Sequence, residues 1–166
     1  GLTDEISTGS AGLRDARGNG ESDNNNNKAV VGRVNVSPAL GHEVALSGYT
    51  GVYNGEGDAI NGFAADALAT FGDLRFLGEY ALMSIENGPV SNGLLAPENL
   101  SGLFAEANYS FWFAALNNTP LGESFESPKL IASFRYNWAE IERRNGHESL
   151  DEDGYVIGLA YRPVET

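Results

Sequence analysis

The chain has 166 residues, 42% of them aliphatic or aromatic, and a formal charge of -13. That is the size of one ordinary domain with enough apolar material for a surface somewhere. The excess of acid sets nucleic acid aside as a partner, because phosphates would meet long-range repulsion. Cysteine is absent, which removes disulfide frameworks, thiolate zinc sites and thiol nucleophiles.

No run of about 18 apolar residues occurs, so no transmembrane helix is expected. A membrane-crossing β-barrel stays open, since its strands need only roughly 9–11 residues with alternate side chains apolar. Such strands leave the mean hydropathy near that of a soluble protein, and here it is -0.25. The first residue is Gly1, with neither initiator Met nor secretory signal ahead of it, which reads as a processed or truncated product.

Residues 1–28 are rich in Gly, Asp, Asn and Ser, end in the tract Asn24 to Asn27, and read as polar loop. From Ala29 a period of two takes over, punctuated by Gly, Asn, Pro and Asp. The first strand expected, Ala29 to Ser37, sets Val30, Val34 and Val36 against Arg33, Asn35 and Ser37. The second, Glu43 to Tyr53, sets Val44, Leu46 and Val52 against Glu43, Ser47 and Tyr49. In the third, Ile60 to Phe71, the apolar side runs from Phe63 through three alanines to Phe71, and the other holds Gly62, Asp66 and Thr70. The fourth, Leu74 to Ser84, opposes Leu74, Phe76, Tyr80 and Leu82 to Arg75 and Glu79. The fifth, Leu103 to Phe113, opposes Leu103, Tyr109 and Phe111 to Glu106, Asn108 and Ser110. The sixth, Lys129 to Ile141, opposes Leu130, Phe134, Tyr136 and Trp138 to Ser133, Arg135 and Asn137. The seventh, Tyr155 to Arg162, opposes Tyr155, Ile157, Leu159 and Tyr161 to Gly158, Ala160 and Arg162.

A soluble sandwich also alternates, so length and aromatic placement must choose. Soluble strands usually run about 5–6 residues, whereas these alternate over the bilayer-spanning length. Phe63 and Phe71 share a face, and their spacing projects to about 20 Å along a membrane normal for a tilt of about 40°. The connections run 38–41, then 54–59, then the tight 72–73, then the long 86–99, followed by 114–128 and 142–154. Barrels put short turns on one side and long polar loops outside. Residues 1–28, 54–59, 86–99 and 142–154 are then expected outside, with 114–128 the exception. Seven strands are odd for a single-chain bacterial barrel. Either an eighth hides near Ala11 to Ala16, or the chain is a section of a larger barrel of about 16–18 strands; the lack of a final aromatic strand after Arg162 favours the section.

The runs Lys28 to Val34, Glu43 to Gly51, Phe71 to Tyr80 and Gly158 to Pro163 resemble the C-terminal half of Gram-negative outer-membrane porins related to the phosphate-selective type. The resemblance covers residues 28–163. It implies an all-β antiparallel transmembrane barrel, usually a homotrimer, that lets small hydrophilic solutes or ions diffuse across a bacterial outer membrane, with lipid as its other partner. The soluble β-sandwich acting as a binding module, and a small closed barrel with a structural or adhesive role, stand as the alternatives.

On that reading Arg33, Glu43, Asp66, Arg75, Glu79, Glu106, Arg135 and Arg162 line the channel, where opposed charge sets a transverse field. Lumen-facing salt bridges without a role in selectivity are the ordinary alternative for any one of them. Asp66 and Glu79 approach each other through the Gly72-Asp73 hairpin, but a charge cluster is the plainer account than acid-base catalysis. His42 and His147 fall in connections with no triad around them. Glu148, Asp151, Glu152 and Asp153 lack the spacing of a calcium loop and read as a solvated acidic loop. No cofactor motif, metal site or enzyme activity is expected. Acids at Glu21, Asp23, Glu56, Asp58, Glu148 and 151–153 are expected to make the outer mouth weakly cation-attracting.

Overall fold

Period two over nine or more residues is realised as seven long strands. The computed structural model describes residues 28–53, 56–87, 97–143 and 149–163. The strands are β1 (Val30–Ala39), β2 (His42–Val52), β3 (Ala59–Phe71), β4 (Leu74–Ile85), β5 (Asn99–Phe111), β6 (Lys129–Glu142) and β7 (Leu150–Arg162). They pair in chain order as one antiparallel meander. The sheet is not closed: among the described residues β1 and β7 each have one strand neighbour. No helix of the described residues is long and apolar enough to cross a membrane.

Two turns set the register at one end. Leu40–Gly41 joins β1 to β2 and Gly72–Asp73 joins β3 to β4, with Gly41 at φ 79° and Gly72 at φ 61°. These are left-handed values that a residue without Cβ adopts at no steric cost. Pro38, which has no N–H to give a ladder, falls where the β1–β2 register slips between Val36 and Ala39. The longer β5–β6 connection lies at this same turn end, and it is packed. It holds a 3-10 turn at Ala114–Leu116 and a four-residue helical turn at Pro120–Glu123. Tyr161 donates its hydroxyl to the Leu121 carbonyl at 2.7 Å, and the rings of Trp112 and Phe125 lie 6.3 and 6.2 Å from that of Tyr161. The other three connections, after β2, β4 and β6, gather at the opposite, loop end.

Register keeps the two faces in phase across all seven strands. Val34, Leu46, Ala65, Tyr80, Leu103 and Trp138 are successive cross-strand partners, so one face collects the apolar positions of every strand. Most of the exposed large hydrophobics lie on it, among them Val34 at 69%, Ile157 at 84% and Leu159 at 70%, while Val31, Ile141, Leu150 and Val156 are exposed on the other face. The four buried hydrophobics, Ala45, Tyr53, Ile60 and Ile85, lie on the other face, together with the ions. Tyr53, Ile60 and Ile85 form a small cluster at the loop end, with Tyr49, Met83 and Leu100 packed against it. Among the described residues no second layer covers the apolar side of the sheet.

Two strands begin earlier than the alternation indicates. β5 starts at Asn99, not Leu103, and β7 at Leu150, not Tyr155, so Asp151, Glu152 and Asp153 are strand residues and not loop. The ladder continues through Asn99↔Glu142 and Leu150↔Ile141, where both faces are polar or mixed and the periodic signal has faded. His42 likewise opens β2 and is not part of a connection. The 1–27 segment, with its Ala11 to Ala16 candidate, lies outside the described residues.

Candidate functional site

Because side chains alternate across a strand, the register decides which ions can meet. Arg33, Glu43, Asp66, Arg75, Glu79, Glu106, Arg135 and Arg162 all fall on the face opposite the exposed apolar one. They form three groups and some single charges.

The first group spans β1 to β3. Arg33 holds Asp66 in a two-pronged bond, its two terminal nitrogens donating to the two carboxylate oxygens at 2.8 and 2.9 Å, and it reaches Ser47 Oγ at 3.3 Å. The fork matches the carboxylate plane, which makes this the most directional of ion pairs. The pair crosses the intervening strand β2. There Ala45 is the direct partner of Asp66 and is only 1% exposed, so a small side chain is what lets the bridge pass over. The second group is local: Asn35 Nδ2 donates to Glu43 Oε1 at 2.8 Å.

The third group is centred on Arg135. Its Nε donates to Asn137 Oδ1 at 2.7 Å, its guanidinium carbon lies 4.1 Å from the centre of the Phe104 ring, and its Nη1 is 3.7 Å from Glu106 Oε2. A cation over a ring face within about 6 Å is attracted by the ring quadrupole. Glu106 in turn accepts from Asn108 at 2.7 Å, and Asn108 accepts from Ser133 at 2.6 Å. The network therefore runs along β5 and β6 with every member engaged.

Asp66 and Glu79 are direct cross-strand partners, as the two-residue hairpin requires. Asp66 is already held by Arg33. Among the described residues Glu79, Arg75 and Arg162 form no ion pair, whereas Lys129 pairs with Asp73 of the turn at 3.3 Å. His42 packs edge-on against Phe71 with ring centroids 5.1 Å apart, and its Nδ1 lies 3.2 Å from the Leu40 carbonyl oxygen; His147 and Glu148 lie outside the described residues. The acidic run does not converge, because Asp151 and Asp153 point to the apolar side and Glu152 to the ionic side. Among the described residues no three His, Cys, Asp or Glu side chains are placed to hold a metal ion.

Alternation places the charged positions on one face and, with them, Phe104, Asn108, Ser133 and Asn137, but it does not show which of these groups meet. Only the register, with Phe104 opposite Asn137 and Glu106 opposite Arg135, brings them together. What this face offers chemically, among the described residues, is a set of charges of both signs on neighbouring strands. The chain matches no family model, no curated protein and no solved structure.

Proposed function

We propose that the chain forms part of the wall of an outer-membrane β-barrel pore, with the apolar face on lipid and the ionic face on an aqueous lumen through which small hydrophilic solutes or ions diffuse. The observation that carries this reading is the inversion of the sheet: the exposed side is the apolar one, and the ions share the less exposed side with the few buried residues. In water, seven strands of exposed aliphatic and aromatic side chains form a patch far beyond what monomeric proteins leave uncovered. In a bilayer the same surface is the expected exterior of a barrel.

A barrel also accounts for the edges. The outer edges of β1 and β7 have no described partner, and unpaired N–H and C=O groups cannot be left in hydrocarbon. Further strands close the ring on this reading. An assembly of three such barrels, and the eight ionic residues as lumen lining, belong to the same proposal. The interior of about eight strands is filled by side chains, while about 16–18 leave a channel, so the lumen requires the larger ring.

Two measurements test it. The protein from its native source should partition with membranes and require detergent for extraction, and in a planar bilayer it should produce ohmic conductance steps. Release into detergent-free buffer as a stable monomer would overturn the proposal.

A further inference from the structure

The borders of the apolar face cut obliquely across the hydrogen-bonded rows of the sheet. Toward the loop end, the row that begins at Val30 turns polar at Thr50 and stays polar to Glu142. The next row, through Gly32 and Phe63, stays apolar as far as Leu82 and is polar from Ser101 to Asp151. The row after that, from Val34 through Ala65, stays apolar to Trp138 and then meets Asp153. One row further, from Val36 to Tyr155, no charged or amide side chain occurs. The opposite border moves the same way: β2 ends its apolar run at Val44 before His42, β3 and β4 extend theirs to Phe71 and Leu74, and β5 to β7 go a row beyond to Phe111, Leu130 and Tyr161.

Both borders therefore climb by about one residue per strand, and with a rise of about 3.3 Å against a strand spacing of about 4.8 Å that slope is about 35°. The band is four or five apolar positions wide on six of the strands and three on β2. Of the band's positions, Ala65, Ala67, Gly78, Ala105 and Ala107 are small and lie in its middle together with the larger Leu46, Phe134 and Ile157, while Phe63, Phe71, Phe111, Trp138, Tyr155 and Tyr161 mark the borders. Two packed sheets fill their centre with large side chains, whereas a bilayer draws aromatic rings to its two interfaces.

We infer that this oblique band is the surface that meets bilayer hydrocarbon, with the strands inclined about 35° to the membrane normal. The inference rests on the barrel-wall reading and adds to it an orientation and a depth for every residue. A flat slab of hydrocarbon is the partner that imposes two parallel borders at one angle on seven successive strands. The path from Phe63 to Phe71 then spans about 22 Å of depth, near the roughly 25 Å height of such apolar bands. The same levelling collects five ions of the ionic face. Arg33, Asp66, Glu79, Glu106 and Arg135 occupy three different rows of the sheet, and after correction for the slope they share one depth, the middle of the band.

Depth-dependent quenching tests this, and none of these 166 residues is a cysteine. Single-cysteine variants of the full chain at Leu46, Asp153 and Ile157 are labelled with bimane and refolded into vesicles whose lipids carry bromine either near the headgroup or near the chain ends. Leu46 and Asp153 lie in one hydrogen-bonded row, while Ile157 lies in another. The oblique band requires Leu46 and Ile157 to be quenched equally, and most strongly by bromine near the chain ends, with Asp153 responding only to headgroup bromine. Val34 and Ala107 repeat the comparison of rows should a first-choice variant fail to refold. Equal depth for Leu46 and Asp153, with Ile157 displaced, would overturn the slope and leave the barrel standing. No quenching at Leu46 or Ile157 from either depth, in protein refolded with native β content, would overturn the barrel reading and the band with it.

Discussion

The two faces of this sheet are made by the same strands, yet they are organised by different rules. The apolar face is an oblique band, with rings at its borders and charge only past them. The ionic face is ordered by pairing, with Arg33 on Asp66, Arg135 among Phe104, Glu106 and Asn137, and an apolar cluster of Tyr53, Ile60 and Ile85 at its loop end. On the barrel-wall reading, the difference teaches that a side chain here is set first by the medium it faces and only then by its neighbours.

The sharpest way to break the comparison is to place one charge on each face of one strand. Ala67 lies on the apolar side of β3 near mid-depth, and Ala64 lies on the ionic side three residues away. Arginine at mid-depth on a lipid face costs about 2–4 kcal/mol. Ala67→Arg should therefore lower the unfolding free energy of the vesicle-refolded protein by that amount, while Ala64→Arg should change it by well under half as much. Denaturant titrations in lipid measure both, and equal losses would remove the distinction between the faces. A smaller effect is expected at the turn end, where Tyr161 ties down the β5–β6 connection through the Leu121 carbonyl. Tyr161→Phe keeps the ring contacts with Trp112 and Phe125 and removes one hydrogen bond of about 0.5–1.5 kcal/mol. Faster amide exchange confined to residues 112–128 is the expected readout; unchanged exchange there would show that the rings alone hold the connection.

Much of this organisation is legible in the amino-acid sequence alone. Face assignment follows from period two, and the Gly72-Asp73 turn fixes Asp66 opposite Glu79 by counting alone. Two things are not legible. The first is where strands continue beyond the apolar band: Asn99 to Gly102 and Leu150 to Gly154 are paired by the backbone ladder but have no apolar stripe to mark them. The second is pairing across a whole strand. Arg33 reaches Asp66 because Ala45 and Ser47 between them are small, a fact about two side chains on β2 that alternation does not encode. The slope of the apolar band is legible only once register is known, because it is a relation between strands.

The ionic face supplies four arginines and four carboxylates among the expected lining residues, so its net field is weak and single unpaired charges should dominate it. Glu79 and Arg75 lie on one side of β4 and lack ion pairs among the described residues. Glu79→Gln should lower the cation-to-anion permeability ratio and Arg75→Gln should raise it. Each change should be no more than about fivefold, the scale of one unit charge at 4 Å in water. Reversal potentials under a salt gradient measure the ratio, and a change of the same sign in both variants would mean that these side chains act through structure and not through their field.

The smallest effect expected comes from the acids at the loop end, and it separates the two faces once more. An acidic mouth should give the intact pore a weak cation preference at about 0.1 M salt, where the Debye length is about 10 Å, and none at 1 M, where it is about 3 Å. Asp151, Glu152 and Asp153 are adjacent in sequence, but the strand sends Glu152 alone to the ionic side. Glu152→Gln should therefore reduce the low-salt preference more than Asp151→Asn does, although both remove one charge within a residue of each other. Equal effects would show that the mouth responds to total charge and not to which face carries it. A cation preference that persists at 1 M would place selectivity deeper, at the mid-depth level of Glu79, and a clear anion preference at low salt would show that strands beyond these seven control the pore.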